Sequence, residues 1–449
     1  MIFRRRRQQT LDRGRHCTTL HMFVMALAAA AYLAACSRQN TDTGACSVPA
    51  PVEPTKVNVI SYPSPGMPFF GDQMAQCSHV AQLQVRHQML PYDELVSQAT
   101  IAMSSKSPSP YHIIHVYDAL LVEWANRGWL APLDDLVKKY WEQYRLAEIP
   151  DNVWDMMRVN GHIYAIPALQ NVEIFFYRKD LFDKYGLKEP RTYHDLDALC
   201  QVLMTNGESK HPLVMMYSKM SHHFTYEFHD LIHSMGGAWF NEDGTPSFNS
   251  PTGIAALQEI VNLYRSCVNP NAVNFTPEDA LIGLQQGQFL MAVLWMNEAP
   301  QMDDPSASKF AGKFGFSPAP GACADCPPAG SWAQDSWVIP ANASVSRELL
   351  FQVAMEGVKT SNQSQAADLT LVTRPDVASA AESPYWAPGV ISIERGAVGL
   401  ERKPYAYLAI DAIERYGIEA LLGHLTAQQA LDRAATDFQR SMRDEGFSK

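Results

Sequence analysis

Two short patterns in this chain have the spacing of known chemical sites. Cys323 and Cys326 form a Cys-x-x-Cys pair, which is the spacing of a redox pair or of half a zinc site. The pair lies between the turn-rich segments 318–321 and 327–330, and the sequence has no second Cys-x-x-Cys. We therefore expect a local structural disulfide between Cys323 and Cys326 rather than a redox centre or a zinc site.

The second pattern is a group of histidines. His229 and His233 are four residues apart, so they would share one face of a helix, and His222 and His223 precede them. A helical pair of this kind can bind zinc, but the metalloprotease motif has Glu directly after the first His, where this chain has Asp230. We expect these histidines to pack or to line a cleft, and the sequence predicts no metal and no cofactor.

Polar and aromatic residues also follow the predicted strands. Residues 56–60 alternate as a strand does, and Tyr62–Gly66 come directly after them. Residues 111–116 form an apolar-leaning run that leads into Tyr117, Asp118 and a helical pattern. Alternating strands and helices imply a largely parallel sheet, with ligands beyond the carboxyl ends of its strands. Tyr62–Gly66, Tyr117 and Asp118 are therefore cleft candidates on topology alone.

A second block of strands and helices begins near residue 174. Residues 212–217 and 289–295 have the composition of strands, and residues 251–266 have the spacing of a long helix. The chain from 408 to 442 is mostly helical, with Thr426 placed to cap its last helix. Two α/β blocks with a cleft between them are the simplest architecture for this order of elements.

The amino-terminal region indicates export. A basic stretch is followed by an apolar run over 22–35, which is shorter than the ~20 residues that span a bilayer. The run ends in the sequence Leu-Ala-Ala-Cys at 33–36, which resembles a bacterial lipobox with Cys36 as the acylated residue. We expect a signal peptide over 1–35, a tether over 36–54 and a lipid anchor on a bacterial membrane, facing the periplasm or the cell exterior. The alternative is a plain cleaved signal in which Cys36 has no role.

Charge and cysteine content restrict the ligand and the compartment. The full chain has a formal charge of −11, and residues 1–35 contain six Arg and one Asp, so the chain from Cys36 onward carries −16. That balance disfavours nucleic acid, which needs positive potential, and fits a neutral or cationic small molecule. Six cysteines remain after Cys36, an even number that favours disulfides in an exported chain but leaves 15 connectivities open.

Several segments, in their shared order, resemble one known family. The most specific are Asn-Gly-His-Ile-Tyr-Ala-Ile-Pro at 160–167 and Asn-Val-Glu-Ile-Phe-Phe-Tyr-Arg-Lys-Asp-Leu-Phe at 171–182. Weaker matches lie at 118–134, 236–251, 289–292 and 423–432. Together they make the chain similar to the extracellular solute-binding proteins of ABC importers, in particular the maltose-binding-like sugar-binding family. The resemblance covers nearly the whole chain after Cys36.

The resemblance implies an α/β fold of two lobes, the periplasmic-binding-protein fold of type II. Its lobes would be joined by hinge crossings near 169–172, 317–321 and 372–377. The first lobe would comprise 55–170 plus 318–371, and the second 171–317 plus 372–449. Closure of such lobes about the hinge buries a small solute and creates a surface that a permease recognises.

The resemblance also implies a set of ligand-binding residues, which are aromatic or hydrogen-bonding types. They are Tyr62, Ser64, Asp118, Asn171, Trp295, Asn297, Ser331, Trp332 and Tyr405. Aromatic rings stack on the CH faces of a sugar, and Asp, Asn and Ser hydrogen-bond its hydroxyls. The implied function is capture of a small carbohydrate or polyol and delivery to the transmembrane subunits of an ABC permease, by a monomer that is not an enzyme.

Three other functions fit parts of the sequence. A non-sugar solute could be a polyamine, held by Asp118 and Glu298, a cofactor, or a glycerol phosphate, although 61–66, 117–118 and 295–298 lack Arg and Lys. A thiaminase-like enzyme on the same scaffold would need a free cysteine in the cleft. A lipoprotein that signals without transport has no distinguishing motif. The segment 294–298 and the Cys323–Cys326 insertion depart from the family pattern and leave the solute open.

Overall fold

Two sheets that share one long strand form the centre of this molecule. The computed structural model describes residues 46–218, 223–374 and 384–447. The predicted signal peptide and Cys36 lie outside the described residues. The strands are β1 Thr55–Ser61, β2 Leu83–Met89, β3 Ile113–Tyr117, β4 Arg158–Val159, β5 His162–Ile163, β6 Ala165–Arg178, β7 Leu213–Val214, β8 Met291–Trp295, β9 Phe314–Pro318, β10 Trp332–Val338 and β11 Leu371–Val372.

Helices cover the faces of both sheets. They are α1 Met67–Ala75, α2 Tyr92–Ser104, α3 Asp118–Asn126, α4 Asp134–Lys139, α5 Asp151–Met156, α6 Lys179–Tyr185, α7 Tyr193–Thr205, α8 His223–Ser234, α9 Pro251–Cys267, α10 Pro277–Gln286, α11 Arg347–Gly357, α12 Thr360–Ala366, α13 Ala387–Glu394, α14 Ala406–Leu421 and α15 Ala427–Asp444. A search of the described residues finds no helix that is both long and apolar enough to cross a bilayer.

The first sheet has the order β2-β1-β3-β10-β6 and belongs to lobe 1. Strands β1, β2 and β3 run parallel to each other, as the alternation of strands and helices predicts. β10 comes from much later in the chain and runs antiparallel to both β3 and β6. The carboxyl ends of the three parallel strands and the beginning of β10 therefore lie at the same edge of the sheet.

The second sheet belongs to lobe 2 and is built on the carboxyl half of β6. β8 and β9 pair antiparallel with that half of β6, and the short β7 lies parallel to β8. Helices α14 and α15 pack against each other and against α9. Thr426 caps α15 in a reciprocal capping box with Gln429, as its position in the sequence predicts.

Strand β6 is the first crossing between the lobes. Its residues up to Val172 pair with β10 in the first sheet, and its residues from Glu173 onward pair with β8 in the second. This change of partner falls at the carboxyl end of the predicted crossing at 169–172. A single continuous strand thus connects the two lobes at their centre.

The return crossing lies later in the chain than the expected 317–321. The amide N–H of Gly321 donates to the carbonyl of Arg191, and that of Ala322 donates to Ser234 Oγ, so this loop stays with lobe 2. The chain reaches β10 only after Ser331. Gly330 permits the crossing, because a Cβ there would overlap the carbonyl oxygen of Glu173. The expected boundary at 318 is therefore too early.

The third expected crossing, at 372–377, falls partly outside the described residues. Its beginning is visible, because β11 pairs with Leu169 and Gln170 of β6 beside the first crossing. After the undescribed segment 375–383, α13 packs on β6 and β9 of lobe 2. The carboxyl-terminal helices therefore belong to lobe 2.

Candidate functional site

A cavity of about 680 Å³ lies between the two lobes, and we call it the central cavity. In lobe 1 it is lined by the residues that follow β1 and β2, by the end of β3 and by the beginning of β10. In lobe 2 it is lined by the residues that follow β8 and by the amino-terminal ends of α8 and α10. The size suits a small ligand, since ligand pockets typically enclose about 300–1,000 Å³.

The polar floor of the cavity in lobe 1 is centred on Asp335. Tyr62 donates its hydroxyl to Asp335 Oδ1 at 2.9 Å, and His115 Nε2 lies 2.8 Å from the same oxygen. The rings of Tyr62 and His115 stack with their centroids 3.9 Å apart, which fixes both donors. Both contacts use Oδ1, so Oδ2 remains to accept a hydrogen bond from a ligand.

Two further tyrosines extend this floor. Tyr92 follows β2, and its hydroxyl donates to that of Tyr117 at the end of β3 over 2.9 Å. Burial raises the pKa of both tyrosines, so both hydroxyls stay protonated at physiological pH. Sequence reasoning did not identify Tyr92 or Asp335. The strand-end rule that selected Tyr62 would also have selected Tyr92, had the end of β2 been placed.

The facing wall belongs to lobe 2 and is aromatic. Trp295 ends β8, and its ring meets that of Tyr226 on α8 edge to face at 5.5 Å. Beside them, the amide N–H of Asn297 donates to Asn171 Oδ1 at 3.3 Å, which joins the end of β8 to the crossing strand. Rings and amides from the second lobe therefore face the carboxylate and tyrosines of the first.

Two carboxyl groups lie at the lobe 2 end of the cavity. Glu298 is partly buried in the 3-10 segment Met296–Asp303. Burial, reinforced by repulsion from Glu278, raises the pKa of Glu298 from 4.5 to about 7. Glu278 itself is exposed at the beginning of α10. Among the described residues that line the cavity there is no lysine and no arginine, so the wall offers no fixed cation to a phosphate.

Five of the nine predicted ligand-binding residues line the central cavity. They are Tyr62, Ser64, Asn171, Trp295 and Asn297. Trp332 does not line the cavity, because side chains alternate along β10. Ala333 and Asp335 of that strand line the cavity, and Trp332 is on the opposite face.

The other three predicted residues are also outside the cavity lining. Ser331 is fully buried, and its hydroxyl donates to Asp230 Oδ1 at 2.6 Å. Asp118 is buried as the first residue of α3. It contacts a residue of the cavity wall through the hydroxyl of Tyr226, which donates to Asp118 Oδ1 at 3.4 Å.

Tyr405 lies away from the cavity, at the beginning of α14. Its ring packs edge to face on Phe240 at 5.2 Å and against Phe438 at 6.0 Å. This residue was placed by the family's usual pattern, and in this chain it joins α14 to α15 and the Phe240 loop.

A second set of carboxyl groups is buried behind the crossing strand, and we call it the hinge carboxyl cluster. It consists of Glu173 on β6 and of Glu227 and Asp230 on α8, all of them 2 % exposed or less. Burial raises the pKa of Glu173 to about 8 and raises the pKa values of Glu227 and Asp230 well above the usual range. Mutual repulsion adds to each shift, so protonated forms predominate at neutral pH.

The histidines that the sequence analysis selected occupy different positions. His229 is buried, with its Nε2 3.0 Å from the carbonyl of Gly399, and burial lowers its pKa to about 3. No group of three potential metal ligands occurs among the described residues. His222 lies outside them, and His223 lines the cavity.

The cysteines of the described residues are all paired. The pairs are Cys46–Cys77, Cys200–Cys267 and Cys323–Cys326. The Cys323–Cys326 loop is held to lobe 2 by Arg191, whose guanidinium donates to the carbonyl of Ala324 at 2.8 Å. None of the described cysteines is among the residues that line the central cavity.

Comparison with known proteins gives a family match and structural relatives. Residues 83–344, more than half of the chain, match the family described as bacterial extracellular solute-binding protein. A mannitol-binding protein of Pseudomonas aeruginosa is 25 % identical over 374 residues, which cover 75 % of this chain and 81 % of that protein.

Two solved structures share the fold. One is a solute-binding protein of an ABC transporter from Agrobacterium vitis with bound D-mannitol, which has a TM-score of 0.73 at 22 % identity and covers 87 % of this chain and 99 % of its own. The other is maltose-bound MalE3 of T. maritima, with a TM-score of 0.73 at 20 % identity and 86 % and 99 % coverage. The chain therefore has the two-lobe fold of periplasmic binding proteins, as the sequence resemblance implies.

Proposed function

The chain belongs to the family of bacterial extracellular solute-binding proteins, and from that premise we propose that it captures a small carbohydrate or polyol in the central cavity. The observation that carries this proposal is the convergence of both lobes on one polar and aromatic cavity. Asp335 comes from lobe 1, Trp295 comes from lobe 2, and Asn171 lies on the strand between them.

The chemistry of these groups suits a polyhydroxylated ligand. Asp335 Oδ2 can accept from one hydroxyl or from two adjacent ones, and the Asn171 amide can donate to a hydroxyl oxygen. The Trp295 ring supplies an apolar face for CH groups. A ligand lacking these hydroxyls would leave buried polar groups unpaired, which is how such a site rejects analogues.

The relatives support this solute class. The curated relative is named for mannitol, and the two solved structures hold D-mannitol and maltose. The absence of Lys and Arg among the described lining residues also disfavours an anionic ligand such as a sugar phosphate.

The contacts between the lobes support a hinge mechanism. The Tyr226 hydroxyl of lobe 2 donates to Asp118 of lobe 1, next to a cavity that both lobes line. We propose that opening breaks this contact, that a solute enters, and that closure restores the contact with the solute buried. The closed surface then engages the permease of an ABC importer, which carries the solute across the membrane.

A thermal shift screen tests the solute class. The exported protein is heated with hexitols, pentitols, mono- and disaccharides, amino acids and polyamines, each at millimolar concentration. A ligand present at about 100 times its Kd stabilises the folded state by about 2.7 kcal/mol. We expect at least one carbohydrate or polyol to raise the Tm by several degrees. A shift with amino acids or linear polyamines, and with no carbohydrate or polyol, would refute the proposal.

We also propose that the protein is anchored to the membrane through Cys36. The support is the Leu-Ala-Ala-Cys sequence at 33–36 after the apolar run. Replacing Cys36 by Ser should move the protein from the membrane fraction to the soluble fraction of fractionated cells. A variant that stays with the membranes would argue for another means of attachment.

A third proposal is that the exported protein carries the disulfide between Cys323 and Cys326. The close approach of their Cα atoms, 5.0 Å, and the oxidising compartment support it. Mass spectrometry of the protein, alkylated without reduction, should find both thiols protected. Alkylation at both positions would refute the disulfide.

A further inference from the structure

The lobe 2 end of the central cavity contains a carboxyl group whose charge is not balanced within the described chain. Glu298 has one hydrogen bond from a neutral side chain, the Gln301 amide to Oε2. Its raised pKa has two causes, desolvation and the nearby Glu278. No cation of the described residues lowers it. By contrast, Asp335 at the other end of the cavity has His115 at 2.8 Å.

The other titratable groups that line the cavity do not supply a fixed cation. From lobe 1 they are the exposed Asp93, Asp335 and the hydroxyls of Tyr62, Tyr92 and Tyr117. From lobe 2 they are Glu278, the hydroxyl of Tyr226 and the imidazole of His223. Four carboxyl groups therefore line the central cavity. Among the described residues, one of the four, Asp335, has a basic partner, which is His115.

The walls of the cavity are also suited to a cation. Tyr62 and Tyr92 meet edge to face at 5.2 Å in lobe 1, and Tyr226 and Trp295 do so at 5.5 Å in lobe 2. Aromatic faces attract ammonium groups, and the attraction grows when the site is desolvated. Aromatic faces alone would serve a neutral sugar equally well. It is their combination with an uncompensated carboxylate that distinguishes the two ligands.

We propose that the solute is a carbohydrate or polyol that bears one protonated amino group, with the ammonium held by Glu298 and the hydroxyls held by Asn171 and Asp335. This inference rests on the proposed function and specifies its substrate class. Closure over a neutral solute would bury Glu298 without a counter-charge, which forces it to take up a proton. An ammonium supplies that counter-charge and three hydrogen-bond donors.

Matched ligand pairs test the proposal by isothermal titration calorimetry. The pairs are D-glucitol with 1-amino-1-deoxy-D-glucitol and D-mannitol with 1-amino-1-deoxy-D-mannitol, each differing by one hydroxyl replaced by a primary amino group that stays protonated at pH 8. At pH 8 we expect the amino member of at least one pair to bind about tenfold or more tightly than its neutral partner. At pH 5.5 Glu298 is protonated, because its pKa is about 7, so the preference should shrink.

Two variants identify the carboxyl group responsible. Glu298→Gln should reduce the preference at pH 8 to about threefold or less, whereas Glu278→Gln, at the exposed rim, should retain most of it. If Glu298→Gln does not fold, as judged by circular dichroism, the pH dependence of the unmodified protein still decides. A neutral member that binds as tightly as its amino partner at pH 8 overturns the inference. Retention of the full preference by Glu298→Gln also overturns it.

The outcomes separate this inference from the proposed function. Tight binding of the neutral members alone would support a carbohydrate or polyol site and refute the amino group. If no member of either pair binds and no carbohydrate or polyol stabilises the protein in the thermal screen, both proposals are wrong.

Discussion

Asp335 and the hinge carboxyl cluster are both close to the crossing strand β6, yet their surroundings differ. Asp335 lies opposite Leu169 of β6 in the pairing of β10 with β6, and it lines the central cavity. Its Oδ1 accepts hydrogen bonds from Tyr62 and His115. Glu173, Glu227 and Asp230 are almost fully buried, and they accept few hydrogen bonds. The neighbours of Asp335 hold its carboxylate in place at the cavity, where it is available to a ligand. The hinge carboxyl cluster instead accepts hydrogen bonds from the protein segments around it.

The contacts of the cluster show which segments it joins. Ser331 donates its amide N–H to Glu173 Oε2 at 3.3 Å and its hydroxyl to Asp230, and the amide of Met216 donates to Glu227. These bonds connect the first crossing strand, helix α8 and the return crossing. The cluster therefore stabilises the hinge from the lobe 2 side, and its cost is the burial of three acids.

The largest expected effect is on folding, from removal of Asp230. Asp230→Ala leaves the Ser331 hydroxyl buried without its acceptor and opens a space in the packed hinge, so we expect a loss of about 2–3 kcal/mol in the free energy of unfolding. Urea denaturation followed by circular dichroism measures it. Asp230→Asn keeps an oxygen for Ser331 and should retain most of the stability. An unchanged stability of Asp230→Ala would mean that the cluster does not support the hinge.

The next largest effect is a loss of ligand affinity when Asp335 is replaced. Asp335→Asn can still accept from Tyr62, but it presents an amide donor to a ligand hydroxyl where the native residue presents an acceptor. We expect a loss of about 1.5–3 kcal/mol in binding free energy by calorimetry, with little change in Tm. Asp118→Asn is the matched comparison, because Asp118 is buried, is not part of the cavity lining and contacts the lining residue Tyr226. Equal losses from both variants would contradict the assignment of Asp335 as the direct contact.

A slightly smaller loss of affinity should follow from removal of the Trp295 ring. Trp295→Ala removes the apolar face of the lobe 2 wall, and we expect a loss of about 1–2 kcal/mol in binding. Trp129→Ala provides the control, because Trp129 is also partly buried but is not part of the cavity lining. A collapse of the fold in Trp295→Ala, measured by thermal unfolding, would show that the ring is a core residue instead.

The smallest effect concerns the pH dependence of stability. Glu173 has a pKa of about 8 in the folded protein and 4.5 when unperturbed, so its unfolded form releases a proton that the folded form keeps. The protein should therefore lose stability as the pH rises from about 4.5 to about 8. Glu173→Gln should reduce that loss, raising the Tm at pH 8 by about 2–4 °C relative to the native chain. An identical pH profile for the variant and the native chain would exclude Glu173 as the titrating group.

The fold followed from the sequence more closely than the site did. The period of the apolar residues predicted β1, β3 and α9 to within a few residues, because local pattern determines these elements. The antiparallel insertion of β10 between β3 and β6 was not foreseen, because it joins segments more than 150 residues apart. The local pattern of residues does not predict pairing between strands that are so far apart in the sequence.

The differences between the predicted ligand-binding residues and the lining of the cavity have the same origin. Tyr62, Asn171 and Trp295 follow or lie on strands whose positions the sequence reveals, and they line the cavity. The resemblance implies Trp332, and nothing local points to Asp335, because the register of β10, and hence the face that each side chain occupies, depends on its pairing with β6. Tyr405 was placed by family position, but the packing of α14 against Phe240 directs it elsewhere.

A crystal structure with the solute that gives the largest thermal shift is the most direct test of the central claim, that both lobes bind one ligand in the central cavity. We predict density between the lobes, within hydrogen-bond distance of Asp335 Oδ2 and in van der Waals contact with the Trp295 ring. A solute bound elsewhere, such as the surface groove of lobe 2 beside Tyr177 and Arg191, with the central cavity empty of it, would contradict the account.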